Sequence, residues 1–397
     1  MRQLFIASLF LFFSVEFVRA QTTGDLLNLL VQKGTITQKE ADSIHSDFSA
    51  KQRASDIKSD SFPLAIGRLL HLSGYTQIRY QNFQEPTKNN GFNVPRARLD
   101  FQGDFSTKWN YRLLIDFVGA SAANGTAPTG GALVSPELLD AFIAYKPVDF
   151  LKITAGQFLL PFSQENLTPD RSLETIDRSQ VVSALMARKG DVSNGLVDSI
   201  GNQNGRDIGL MINGSLIKTN NHYLLDYYLF LVNGAGINTL DNNQYKDIGG
   251  RVVLHPYKII DIGASYYNGF DKFTSSPTIN QERIRLGTEF AVNYNQFSVK
   301  GEWIQGKEGD TNRIVHQGWY IQGSYFLWPK HLQGVFRYDT YDPNTAKSKI
   351  QETSTYYVFG LNYFFNVWTK IQTEYSYRTE NPSVHNNVFM VQLQLGF

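Results

Sequence analysis

The chain contains no cysteine, which removes disulfides, zinc–thiolate sites and cysteine nucleophiles together. It also lacks an excess of either charge: 37 Lys and Arg stand against 36 Asp and Glu, and the balance becomes even once Arg2, Arg19 and Glu16 of the first residues are set aside. A neutral chain lacks the basic excess that a nucleic-acid coat requires, so no nucleic acid is expected as a partner. The seven histidines, at 45, 71, 222, 255, 316, 331 and 385, are scattered without metal-ligand spacing, so no metal site is expected. There is no GxxxxGK[ST] phosphate loop, and no nucleophile with a base beside it is nominated. The sequence therefore points to no enzyme and calls for no cofactor.

Long apolar runs are confined to the start. Arg2 supplies a positive end, Leu4 to Val18 is apolar apart from Glu16, and Val18-Arg19-Ala20 offers small residues at the two positions a signal peptidase reads. Residues 1–20 are expected to be a signal peptide, with a mature start near Gln21. No later stretch reaches about 18 apolar residues, so no membrane-spanning helix is expected. Residues 21–62 read as a helical or coiled-coil leader and linker on the periplasmic side. Asp25 to Val31 carries leucines at 26, 27, 29 and 30, Lys33-Gly34 is a stop, and Thr37-Gln38-Lys39-Glu40 has capping-box spacing before a polar stretch at 49–61. A flexible leader and a small helical hairpin or trimer-forming coil fit these residues equally.

What is abundant is aromatic: 21 Tyr and 28 Phe in a chain of 397 residues. From Arg68 onward, period-two alternation separated by turn residues recurs sixteen times, at approximately 69–80, 93–105, 109–119, 138–147, 150–160, 207–216, 223–233, 247–255, 259–268, 282–293, 297–306, 315–327, 331–341, 354–365, 367–379 and 387–397. Short connections such as Val148-Asp149, Pro256-Tyr257-Lys258, Tyr294-Asn295-Gln296 and Asn366 alternate with longer ones. An even strand number with that alternation predicts an all-β fold: a 16-stranded antiparallel transmembrane β-barrel over 63–397, in contact with outer-membrane lipid. In the last run Phe389, Val391, Leu393, Leu395 and Phe397 share one face, and Met390, Gln392, Gln394 and Gly396 share the other. The chain ends on phenylalanine in the manner of Gram-negative outer-membrane proteins.

The stretch from 150 to 216 is a strand, a long excursion, and a strand again. A structureless connection as long as 161–206 is expected to be functional. In a closed barrel it is long enough to fold inward and narrow the bore; the other reading is an extracellular flap. Its charges are mixed, with Glu165, Arg171, Asp177 and Arg178 as the candidate constriction residues.

Parity turns Arg79, Arg96, Arg98, Arg112, Arg283, Arg285, Lys300 and Arg337 toward the bore, along with Asp100, Asp116, Glu289, Glu302, Asp339, Lys370 and Glu374. Placing Arg or Lys against lipid at the midplane costs about 2–4 kcal/mol, so the inward placement is close to forced. Two readings stand. The arginines create a field favouring anions, or they pair with the acidic groups and rigidify the wall.

Particular residues resemble the phosphate-selective porin O and P family. They are Asn93-Val94-Pro95-Arg96-Ala97-Arg98-Leu99-Asp100-Phe101-Gln102-Gly103, then Ala155 to Glu165 leading into the long loop, then Thr175-Ile176-Asp177-Arg178-Ser179, and Gly205-Arg206-Asp207-Ile208-Gly209. The resemblance implies a sixteen-stranded, trimeric outer-membrane porin whose third outer loop folds into the lumen. It also implies passive diffusion of small polar solutes, with anions such as phosphate among them. The mixed lining departs from the basic ladder of phosphate-selective members, so the family name does not carry its substrate to this chain. The competing expectation is a non-conducting outer-membrane barrel with a structural or surface-binding role.

Overall fold

The chain divides after Asp60, and the second unit, Ser61–Phe397, is the barrel. The computed structural model describes residues 64–118, 136–186, 192–193, 196–197, 205–219, 222–241, 243–273, 279–309, 314–346 and 353–397. The signal peptide expected at 1–20 and the leader and linker expected at 21–62 lie outside the described residues.

Sixteen strands follow in order: β1 Leu70–Phe83, β2 Gly91–Asp104, β3 Trp109–Asp116, β4 Glu137–Val148, β5 Leu151–Leu159, β6 Arg206–Lys218, β7 Tyr223–Val232 and β8 Asp247–Tyr257; then β9 Ile260–Phe273, β10 Ile279–Tyr294, β11 Phe297–Glu308, β12 Ile314–Trp328, β13 Leu332–Asp342, β14 Ser354–Phe364, β15 Lys370–Thr379 and β16 Val388–Gly396. Each pairs antiparallel with its successor, and β16 pairs with β1, placing Gln392 opposite Arg79. The ladder therefore has no free edge, and the backbone polar groups of the sheet pair between strands apart from a few register shifts, the condition for crossing lipid. The terminal residue completes the seam: Phe397 N–H donates to Gly74 O at 3.0 Å, and Gly74 N–H donates to Phe397 O at 3.1 Å. A short segment, Leu64–Ile66, folds back to pair with the start of β1.

The two faces separate as parity requires. Phe359 and Leu361 on β14 are 52% and 47% exposed, while their neighbours Val358 and Asn362 are 1% exposed. On β1, Ile78 faces out between buried Gln77 and Arg79. The outer wall is thus apolar and the inner wall polar and charged. One apolar cluster also lies inside, where Phe158, Phe162, Val181, Val182 and Leu185 pack with Phe230, Ile304 and Tyr320.

Several strand ends differ from the sequence reading, mostly at the end bearing the long loops. There β1 runs to Phe83, β9 to Phe273, and β10 starts at Ile279. Along these extensions apolar and polar residues no longer alternate cleanly in the sequence, so the contrast that marks a strand fades before the hydrogen-bond ladder does. At the short-turn end the correction is opposite. Val367 and Thr369, read as strand, belong to a turn over 365–369, because Asn366 Oδ1 accepts the N–H groups of Trp368 and Thr369, both at 2.8 Å.

Phe359, midway along β14, tests the lipid-facing assignment. Phe359→Arg is expected to cost about 2–4 kcal/mol in a urea titration of folding into lipid vesicles, whereas a change below about 1 kcal/mol contradicts an outward Phe359.

Candidate functional site

The segment after β5 turns into the barrel rather than away from it. Leu160 N–H donates to Gly205 O at 2.9 Å, so entry and exit are pinned together, and Ser163 adopts a left-handed φ of 68° that reverses the chain inward. Two short helices follow, α1 Gln164–Leu167 and α2 Gln180–Leu185, with a 3-10 turn at Asp170–Ser172 between them. Ser163 and Ser179 cap the helices, their side chains accepting from Asn166 N–H and Val182 N–H. Glycines on the wall make room for the loop. A Cβ on Gly306 would lie 3.1 Å from Leu185, and one on Gly318 would lie 2.9 Å from Val181.

The first N–H groups of a helix have no partner within it and need external acceptors. Here the barrel wall supplies them. Gln164 N–H donates to Glu289 on β10 at 2.9 Å, Glu165 N–H to Glu302 on β11 at 2.8 Å, and Gln180 N–H to Asp339 on β13 at 2.9 Å. Between the helices, Ile176 N–H donates to Glu374 on β15 at 2.8 Å. All four carboxylates are buried. A hydrogen bond contributes about 0.5–1.5 kcal/mol net, and leaving a buried N–H without its acceptor costs about 1–3 kcal/mol, so four such bonds hold the loop in place.

Side chains of the loop add further ties. Glu174 accepts from Gln322 and Ser324 on β12, both at 2.6 Å, and pairs with Lys300 on β11 at 2.8 Å. Burial pushes the Glu174 carboxyl up, but Lys300 and the hydrogen bonds from Ser324 and Gln322 outweigh that and hold it below the ordinary glutamate range. Lys370 Nζ donates to Leu173 O at 2.6 Å. Beneath the loop lies a belt of amides across the barrel seam: Gln77 to Gln394, Gln392 to Gln372, and Gln372 to Asn362, at 2.8, 3.2 and 3.2 Å.

The eight wall residues singled out in the sequence all sit on the inner face, where carboxylates surround them. Arg79 pairs with Asp177 at 3.1 Å, Arg96 with Asp170 at 3.4 Å, and Arg98 with Asp116 at 2.7 Å as well as with Asp170. Arg112 pairs with Asp100 and Asp140 at 2.8 and 2.9 Å, Arg285 with Glu308, Lys300 with Glu174, and Arg337 with Glu165 at 3.2 Å. Arg283 is buried on β10. Of the loop residues, Glu165 and Asp177 anchor to the wall, Arg178 pairs with Asp170, and Arg171 lies over the Trp368 ring, 4.4 Å from its centroid. The inner side chains that stay open to water include Asp177, 47% exposed, and Arg112, 31% exposed.

Asp170, on which Arg96, Arg98 and Arg178 converge, has no mark in the sequence, and neither does the role of Glu289, Glu302, Asp339 and Glu374 as acceptors of loop N–H groups. Parity placed those four in the bore, where they read as partners for arginine; nothing local in a sequence marks a carboxylate that binds backbone far away in the chain.

The family model described as phosphate-selective porin O and P matches residues 71–197 and 270–397. No curated protein sequence matches the chain. Among solved structures, the chain is similar to an anion-selective porin from Comamonas acidovorans, with a TM-score of 0.58, 13% identity, and coverage of 83% of this chain and 99% of that one. It is similar to OmpT, an outer membrane protein of Vibrio cholerae, in its loop L8 deletion mutant, with a TM-score of 0.56, 12% identity, and coverage of 83% and 99%. The trimer form of in-vitro folded OmpT gives a TM-score of 0.52 at 10% identity, again covering 83% and 99%. At these identities the likeness is one of fold.

Hydrogen exchange tests the anchoring by wall carboxylates. In the double variant Glu374→Ala/Asp339→Ala, the amides of Ile176 and Gln180 are expected to lose about 1–3 kcal/mol of protection each, while amides in the strands keep theirs. Unchanged protection at both amides contradicts the anchoring.

Proposed function

The chain belongs to the phosphate-selective porin O and P family, and on that premise we propose that it is a passive diffusion channel of a Gram-negative outer membrane, with the inward loop as its constriction. A closed barrel of sixteen strands is wide enough to enclose an aqueous passage, and its outer face suits lipid. The observation that carries the reading is the inward loop itself, bonded to the inner wall on β10, β11, β13 and β15 through backbone N–H groups. A loop so placed narrows a bore; an extracellular flap makes no such contacts.

The solutes in this reading are small and polar, with anions such as phosphate among them. No residue is catalytic. The wall provides water-filled width, and the charged rows set which solutes spend time inside. Because carboxylates neutralise most inward arginines, Arg79, Arg96, Arg98, Arg112, Arg285, Lys300 and Arg337 act chiefly as struts that fix the shape of the passage, and the residual field is weak. A homotrimer, each subunit with its own pore, is the assembly we propose, supported by the trimer form of OmpT among the structures of like fold.

The second reading, a barrel plugged by its loop and serving as a structural or surface-binding protein, is favoured by the depth of burial along the seam, where Gln77, Gln372 and Gln392 are at most 1% exposed. The exposed inner side chains Asp177 and Arg112 favour the open passage.

Conductance decides between them. Purified protein in planar bilayers is expected to give discrete ohmic steps; folded, inserted barrels that pass no current overturn the channel reading.

A further inference from the structure

We propose that Arg171 is the anion-contacting residue of the constriction and sets the sign of its selectivity. The inference rests on the channel reading above and adds to it a single residue and a ligand class.

The loop presents two described arginines, and they are used in opposite ways. Arg178 is buried; its guanidinium pairs with Asp170 and donates to Glu165 O at 3.1 Å and Thr168 O at 2.6 Å. All three of its nitrogens are bonded to the protein. Arg171 forms no ion pair with any carboxylate among the described residues, and its guanidinium instead lies over Trp368. The paired wall cations carry their counter-charges with them, so a passing ion meets little net field from them. An uncompensated guanidinium is a different object.

Its position is fixed from both sides. Asp170, the preceding residue, is held by Arg96, Arg98 and Arg178, and the carbonyl of Leu173 takes Lys370 Nζ at 2.6 Å and Gln372 Nε2 at 3.3 Å. The carbonyl of Arg171 itself accepts from Gln394 Nε2 at 3.3 Å. Between these anchors the turn shows its other side to water: Pro169 and Ser172 are exposed and Arg171 is half-buried, whereas Asp170 and Leu173 are buried. The tip is therefore a rigid mount, with one charged side chain on its wet face.

Stacking decides which part of that side chain is available. A guanidinium attracted to an aromatic ring contacts the π-face, while its five N–H donors lie in a planar fork suited to a carboxylate or phosphate. With no protein carboxylate on that fork, a small oxyanion or a chloride ion can take it. A single contact of this kind is weak enough to release the ion again, as conduction requires. Asp100, a carboxylate close enough to act on Arg171, is already bonded to Arg112.

The test is the reversal potential of the full-length protein in planar bilayers under a KCl gradient, for wild type, Arg171→Lys, Arg171→Gln and Arg171→Met. Wild type is expected to favour chloride over potassium. Arg171→Lys retains that preference, and Arg171→Gln loses it or inverts it. Removing Arg171 strands no buried carboxylate, so the variants are expected to insert as wild type does. Arg171→Met, which keeps the packing on Trp368 without the charge, gives the same reading if Arg171→Gln does not fold. A chloride preference unchanged in the uncharged variants overturns the proposal while leaving the channel reading intact, and so does a wild type that favours potassium. Folded wild-type barrels with no conductance overturn the channel reading and this proposal with it.

Discussion

The inner organisation of this barrel depends on one kind of bond: a wall carboxylate accepting a backbone N–H from the loop. Glu289, Glu302, Asp339 and Glu374 come from four different strands and receive Gln164, Glu165, Gln180 and Ile176. Two short helices inside a barrel carry unpaired N–H groups that sheet and lipid cannot satisfy. The same strands bring inward carboxylates that need donors. Each deficit meets the other, and the loop is placed by that match. Its apolar residues, Phe162, Val181 and Leu185, then fill the space between the helices and the wall.

The ion pairs follow from the same constraint. Lipid forbids charge on the outer face, so charged side chains collect inside, and inside they neutralise one another. Asp170 shows how far this goes: it lies on the loop, yet it draws two arginines of β2 and one of the loop itself to a single carboxylate. Truncating one partner of such a buried pair typically costs 3–5 kcal/mol because the other charge is left stranded. Shape is therefore robust here, and the rows of arginine contribute more to rigidity than to attraction. A group left out of the pairing, on a tip already held by its neighbours, has correspondingly greater influence on what passes.

The barrel was legible in the sequence because its signal is long and redundant. Sixteen alternating runs follow from the demand that every strand show lipid one face and water the other, and short turns set against long loops separate them. Parity alone turned Arg79, Arg98 and Arg337 inward, and the structure buries all three. What was not legible depends on distance along the chain. Ile176 and Glu374 are far apart in sequence, and neither letter reports the other. Strand ends such as Asn268-Gly269-Phe270 look like turn chemistry, yet they continue β9, because a sheet needs no apolar face once it has left the lipid. The glycines at 306 and 318 were a signal present in the sequence and unread: small residues at inward positions on adjacent strands mark where something packs against the wall.

The loop runs down inside the barrel until its tip meets the short-turn end at Trp368. The absence of cysteine makes a direct distance measurement simple: spin labels on cysteines introduced at Ser172, on the exposed tip, and Val367, 85% exposed in the turn over 365–369, give their separation by pulsed electron resonance in membranes. An inward loop places the two labels well within the ~25 Å height of the apolar band. A separation exceeding that height puts the tip outside the barrel at the long-loop end and contradicts the account.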